Sequence, residues 1–208
     1  GLMALTLYYA PRTCSLASHI ALEEAGASFD SVRVDFSSNQ QRSDSYLALN
    51  PKGRVPALLT ERGILTETPA ILAYIAQSFP QKQLAPLTDP FAFGEMQAFN
   101  SYLCSTVHVA HAHKVRGRRW TDDDAAIETM KQKVPQNMGD CFELIERQMF
   151  KGPWVLGTDY SVADPYLYTI ASWLEGDGVD PARFPKVLDH RNRMRDRPAV
   201  QRALAANA

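Results

Sequence analysis

Of the three cysteines in this 208-residue chain, Cys14, Cys104 and Cys141, one stands where a thiol could do chemistry. Cys14 opens a helical run that reaches Ala25, where free backbone N–H groups and the helix dipole favour an anion. With Arg12 close by, that position is expected to lower the thiol pKa and make Cys14 the reactive cysteine. An odd count without CxxC spacing gives neither a disulfide framework nor a structural zinc site. Cys104 and Cys141 fall inside helical patterns and read as small structural residues. A second constellation is Glu67-Thr68-Pro69, in which Thr68 can cap a helix that has Pro69 at its first position. A helix start suits an anion, and Glu67 beside it supplies the opposite preference. His108, His111 and His113 invite a metal reading, but their spacing does not put all three on one helical face and no acid completes the set. No metal is expected. Arg116, Arg118, Arg119 and Trp120 read as a solvated turn between helices rather than a nucleic-acid surface.

The composition sets the frame for these groups. Lys and Arg number 22 against 23 Asp and Glu, so no bulk electrostatic partner such as nucleic acid or an anionic membrane is indicated. Hydrophobic residues at 45% and charged residues at 22% fit a soluble globular protein and argue against disorder. No apolar run approaches the roughly 18 residues of a membrane span. Gly1-Leu2-Met3 leads straight into a strand-like stretch without a basic, then apolar leader, so the cytoplasm is the expected compartment.

The elements that must hold the groups are legible from periodicity. Ala4 to Tyr9 is a short β-prone run, Cys14 to Ala25 a helix with Gly26 at its end, and Phe29 to Asp35 alternates as a half-buried strand should. Strand, helix, strand in this span predicts a βαβ unit with parallel strands. A polar stretch and the turn Asn50-Pro51-Lys52-Gly53 follow, then a hairpin of Ala57 to Thr60 and Ile64 to Thr66 about Glu61-Arg62-Gly63, then the helix that begins at Thr68. Phe79 to Pro90 carries three prolines and no periodicity, which marks a linker. Beyond it the chain reads as all helix: Phe91 to about Arg116, Thr121 towards Phe150 with a kink or break at Pro135, a capped helix after Ser161-Val162-Ala163-Asp164, and Val187 to Ala206 broken at Arg197-Pro198.

This order, βαβαββα followed by helices, resembles that of the cytosolic glutathione transferases, and four local matches carry the resemblance along the whole chain. They are Pro11-Arg12-Thr13-Cys14-Ser15-Leu16-Ala17-Ser18-His19, Asn50-Pro51-Lys52-Gly53-Arg54-Val55-Pro56-Ala57-Leu58, Leu65-Thr66-Glu67-Thr68 and Ser161-Val162-Ala163-Asp164-Pro165-Tyr166-Leu167. The first looks most like the bacterial beta class, with its signature cysteine. The resemblance implies an α/β thioredoxin-like domain over residues 1–79, a linker over 80–90 and an all-α domain over 91–208 that forms a hydrophobic second-substrate site.

It also implies roles. Pro56 would be a cis-proline that turns the Val55 backbone outward, to pair with glutathione as with an added strand. Thr68 would hold the γ-glutamyl carboxylate, Glu67 the ammonium, and Arg54 a further carboxylate. His108 would line the active site from the first long helix, and Ser101 stands where the family often places an asparagine that reaches a partner subunit. Asn39 and Gln40 occupy the neighbourhood in which some relatives carry a glutathione-binding lysine.

The activity so implied is conjugation: glutathione, a co-substrate rather than a prosthetic group, is held as thiolate and attacks a small hydrophobic electrophile. Cys14, with Ser15 and Tyr9 as rival donors, would stabilise that thiolate. Two alternatives stand beside it: thiol transfer or peroxide reduction through a mixed disulfide on Cys14, and a non-enzymatic binding or regulatory protein on the same fold. The family also implies a homodimer.

Overall fold

The computed structural model describes residues 4–208, so Gly1, Leu2 and Met3 lie outside the described residues. Strand β1 (Thr6–Tyr9) buries Leu7 and Tyr9 and leaves Thr6 and Tyr8 half-buried, the period-two pattern of a covered strand. Helix α1 (Ser15–Glu24) leads to β2 (Asp30–Arg33), which pairs parallel to β1 with Thr6 opposite Asp30. Helix α2 (Asp44–Leu49) is capped by Ser43, whose hydroxyl accepts from the Tyr46 N–H at 3.2 Å. Strands β3 (Ala57–Thr60) and β4 (Gly63–Thr66) form the expected hairpin, and α3 (Thr68–Ser78) follows. The sheet order is β2-β1-β3-β4, with β3 antiparallel to both neighbours.

One expectation fails here. The segment Phe29 to Asp35 does not make a half-buried strand: all four residues of β2 are exposed, and Val34 is buried only beyond its end. The reason is position, since β2 is an edge while α1 and α3 pack over the centre of the sheet and bury Leu7, Leu22, Leu58, Ile71 and Ile75.

The helical part begins at α4 (Pro90–Tyr102), capped by Asp89, whose carboxylate accepts from Phe91 N and Ala92 N at 3.1 and 3.2 Å. It passes through a π-helical turn, Leu103–Val107, into α5 (His108–Ala112). Helix α6 (Asp124–Leu144) takes Asp123 rather than Thr121 as its cap, and a second π-helical turn, Ile145–Met149, extends it. The break expected at Pro135 does not occur. The helix runs through that residue because its buried face, Val134, Met138 and Phe142, is held on both sides of it.

Helices α7 (Ala163–Ala171), α8 (Pro185–Arg195) and α9 (Pro198–Ala206) complete the fold. Ahead of α7 the chain makes a variant of the capping box: Ser161 Oγ accepts from Ala163 N at 3.2 Å and Asp164 Oδ2 from Ser161 N at 2.9 Å. The fully buried Asp164 also takes Val155 N at 2.9 Å and His190 Nε2 at 2.8 Å, which ties α8 to the start of α7.

Helix α1 is buried on nearly every face because it lies between the sheet and the helical part. Leu16 and Ile20 pack against Tyr168, Met194, Val200 and Ala203, and fully burying each such side chain contributes roughly 1.5–3 kcal/mol. Polar ties reinforce the same seam: Arg197 to Glu24 at 2.7 Å, Arg202 to Glu23 at 2.8 Å, and Tyr9 OH donating to the Ala206 carbonyl at 3.0 Å. No helix of the described residues is long and apolar enough to cross a membrane.

Candidate active site

A cleft of about 950 Å³ opens between the loops at one end of the sheet and the helical wall facing them. That volume lies near the upper end of the range for small-molecule sites. The loops bring Cys14, Arg54, Val55, Pro56, Glu67 and Thr68 to one side, and the helices bring Cys104, His108, His111, Tyr166 and Trp173 to the other. A smaller hollow of about 290 Å³ at the opposite end of the strands gathers no comparable set of groups.

Cys14 is the N-cap of α1, as the sequence suggested, yet its titration runs the other way. Burial pushes the thiol from 9.0 up to about 11; the Thr68 hydrogen bond pulls it down, the Glu67 carboxylate raises it, and Arg54 lowers it least. The helix start does not offset burial: the Cys14 backbone N–H lowers the value by less than burial raises it, and the next N–H groups bond elsewhere. Ser15 N donates to Thr13 Oγ1 at 3.2 Å, Leu16 N to Thr13 O at 3.3 Å and Ala17 N to Cys14 O at 3.1 Å. Arg12, expected to help, is not among the groups that act on the thiol. Cys14 is therefore a protonated donor, with Sγ 3.5 Å from the Val55 carbonyl and 3.6 Å from the Thr68 hydroxyl that donates to it.

Two rival donors are corrected. Tyr9 shares the inner face of β1 with Leu7, so its ring packs on His19 and its hydroxyl points to α9, away from the cleft. Ser15 is fully buried, and its hydroxyl accepts from Ala10 N at 3.1 Å and bonds the Ala10 carbonyl; it shapes the loop and does not line the cleft. Ser101 is exposed on α4 and lies outside the cleft of this chain.

The Val55–Pro56 peptide is cis, and the loop ahead of it is pinned at the Arg54 carbonyl by Tyr46 OH at 2.6 Å and Asn50 Nδ2 at 2.9 Å. The Arg54 side chain is left free and exposed in the cleft. Glu67, not Thr68, is the N-cap of α3, and at φ 76°, ψ 123° it holds a backbone conformation that L side chains rarely adopt. Such positions cost about 1–3 kcal/mol and gather at functional sites. Lys52 Nζ lies 2.7 Å from the Glu67 carboxylate and 2.9 Å from Thr66 Oγ1. Both partners are exposed, so the pair adds little stability, but it sets the carboxylate's direction. Lys52 was visible in the turn Asn50-Pro51-Lys52-Gly53, and nothing there signalled that it would reach Glu67.

On the helical wall, the His108 ring packs on Trp173 with centroids 5.0 Å apart. Burial first, then the charges of His111, Arg119 and Arg54, lower its pKa to about 4, so it is neutral at physiological pH. His113 turns away, stacked on Trp120 at 3.8 Å. Cys104, read as structural, lines the cleft, and burial raises its pKa as well. The phenol of Tyr166, from the motif at the start of α7, lies at the floor beside Thr68, and burial raises its pKa too.

The basic cluster is the largest departure. Arg116, Arg118 and Arg119 are not merely a solvated turn: they line the cleft, where Arg54, Arg116 and Arg42 lower the Arg119 pKa after burial does. Nine lysines and arginines line the cleft against two glutamates, although the chain as a whole carries a net charge of −1. The cleft therefore focuses positive potential and attracts anions.

Comparison with known proteins places this geometry. Residues 3–77 match the family model described as glutathione S-transferase, N-terminal domain, and residues 112–207 the one described as glutathione S-transferase, C-terminal domain. The glutathione S-transferase GstA of Escherichia coli O157:H7 is 33% identical over 205 residues, 97% of this chain and 98% of that protein. A solved glutathione transferase homolog from Sulfitobacter, with bound glutathione, is 47% identical with a TM-score of 0.95 over 98% of each chain. The bacterial beta class glutathione S-transferase of Sphingomonas chungbukensis is 33% identical with a TM-score of 0.85, again over 98% of each chain.

Proposed function

This chain belongs to the glutathione S-transferase family, and from that premise we propose that it is an enzyme that binds reduced glutathione and transfers its thiolate to small electrophiles. The observation that carries the reading is the convergence, on one cleft, of the Val55–Pro56 loop, the Glu67–Thr68 helix start and the Cys14 thiol.

In this reading Glu67 takes the ammonium of the γ-glutamyl head and the start of α3 its carboxylate, while the Val55 backbone pairs with the cysteinyl part and Arg54 meets a carboxylate. Cys14, protonated at neutral pH, donates S–H to the bound thiolate and so favours the charged form of glutathione over the neutral one. The same protonation counts against thiol transfer through Cys14, which needs that residue as the nucleophile. Residues 91–208 supply the second-substrate side, where Trp173 offers apolar surface beside His108. The working form is a homodimer in the cytoplasm.

Calorimetry with reduced glutathione on the wild type and on Cys14→Ala tests the reading. Micromolar to low-millimolar binding by the wild type, with weaker or altered binding by the variant, is the expected result. No binding by either protein at millimolar glutathione withdraws the enzyme assignment and leaves only the family.

A further inference from the structure

We propose that Arg119, carried by the turn between α5 and α6, joins Arg54 in gripping the glycyl carboxylate of glutathione, so that the co-substrate is read from both halves of the chain. The proposal rests on the transferase reading above and adds a specificity-determining residue to its glutathione site.

Pairing sorts the cations of the cleft. Lys52 is tied to Glu67, Arg118 to Asp124 and Lys114 to the Gly176 carbonyl. Arg42, Arg54, Arg116 and Arg119 also line the cleft, yet none of them forms an ion pair among the described residues. The Arg42 guanidinium lies against the loop ahead of the cis bond, where a Cβ added to Gly53 would stand 3.3 Å from its Nη1. Arg116 reaches back from the helical part, its guanidinium 6.0 Å from the centre of the Phe36 ring beyond β2. Arg119 feels the convergence. Burial first, then the charges of Arg54, Arg116 and Arg42, hold its pKa below the usual arginine value, with Cys14 acting the other way. Like charges gathered without counter-ions raise the energy of the cleft, and an anion that enters relieves it.

The turn that carries Arg119 has a firm backbone. Arg119 N donates to Arg116 O at 2.9 Å and Trp120 N to Gly117 O at 3.0 Å. Trp120 stacks on His113, and Gly117 lies so close to α6 that an added Cβ would stand 3.1 Å from the Ile127 side chain. A backbone fixed in advance lowers the entropy lost when the side chain engages a ligand.

Glutathione supplies an anion at the matching end. With its head at Glu67 and the start of α3 and its cysteinyl part on the Val55 backbone, the group left over is the glycyl carboxylate, and Arg54 is the residue next to Val55. A carboxylate has two oxygens and about four acceptor sites. One guanidinium fork fills two of them, so Arg54 alone leaves the others open. Arg54 is also the first charge that acts on Arg119, which makes Arg119 the second fork. Arg42 and Arg116 add positive potential around the pair.

The test is calorimetry with glutathione and with its glycyl monoethyl ester, on the wild type and Arg119→Gln. The ester keeps the thiol and the γ-glutamyl head and loses only the charge at issue, so any effect on the thiolate cancels in the ratio of the two affinities. A hydrogen bond to a charged group is worth at least about tenfold in affinity. The wild type should therefore prefer glutathione to the ester roughly a hundredfold and Arg119→Gln only about tenfold, with ester affinity unchanged within about twofold. Arg119 is exposed, so the substitution leaves the fold intact. A loss shared equally by both ligands overturns the proposal, because the arginine then serves another part of the tripeptide. An unchanged preference overturns it too and gives the arginine to some other anion. A wild type that binds glutathione and the ester alike overturns the proposal alone. A wild type that binds neither overturns the transferase reading with it.

Discussion

Alkylation of Cys14 by iodoacetamide across a pH series, in a Cys104→Ser, Cys141→Ser background, tests the central electrostatic finding. A thiol raised from 9.0 to about 11 carries roughly a hundredfold less thiolate near neutral pH than an ordinary cysteine. The more basic thiolate is also the better nucleophile, by roughly six- to tenfold for that difference in basicity. The two effects leave Cys14 labelling about ten to fifteen times more slowly than an unperturbed thiol. The pH profile separates population from reactivity: the rate should climb about tenfold per pH unit up to roughly pH 10 without a plateau. Thr68→Val removes the hydrogen bond that pulls the pKa down, so its profile should lie at still higher pH. Mass spectrometry of the labelled peptide reads both. A plateau below about pH 9 in the wild type, or a lower midpoint in Thr68→Val, would refute the reasoning that burial outweighs the helix start here.

Further tests follow from the same geometry. The His108 C2 proton should titrate near pH 4 by NMR, and a midpoint above 6 would refute its desolvation. Because that folded value lies below the unfolded 6.5, the unfolded chain binds the proton first. The contribution is thus complete above pH 6.5 and lost as pH falls towards 4, a loss of about 2–3 kcal/mol that a His108→Gln variant should not show in urea titrations. Asp164→Ala strands two buried N–H groups, of Val155 and Ser161, and should cost about 3–5 kcal/mol by urea unfolding; less than about 1 would mean the loop finds other partners. Glutathione affinity should weaken severalfold as salt rises from low to high concentration, as the excess of cations along the cleft requires, and a salt-independent Kd in calorimetry would contradict it.

Much of the frame was readable because it is local. The hairpin about Glu61-Arg62-Gly63, the helix start at Glu67-Thr68 and the Ser161–Asp164 box each depend on neighbours within a few positions, and each forms. The Cys14 titration was not readable. It is set first by burial, then by Thr68 and Glu67, which lie 54 and 53 positions away and reach the thiol only in the fold. Tyr9 is a different kind of miss, since its side was available in principle. Leu5, Leu7 and Tyr9 alternate onto the face that is buried, so parity alone removes Tyr9 from the cleft. Arg116 and Arg119 looked like an ordinary solvated turn because only their approach to Arg54 and Arg42, from the other half of the chain, makes them part of a site.

The seam along α1 also bears on how the chain is made. Tyr9 and the carbonyl it binds, Ala206, are 197 positions apart, which at ribosomal rates is roughly 10–40 seconds of synthesis. For that interval the sheet and α1 can assemble, but the cover over Leu16 and Ile20 is completed only as α7, α8 and finally α9 arrive. The nascent intermediate therefore presents a greasy strip that chaperones would bind. A fusion partner or frameshift that disturbs α9 should show first as aggregation of an otherwise well-formed amino-terminal half, before any defect in the cleft is felt.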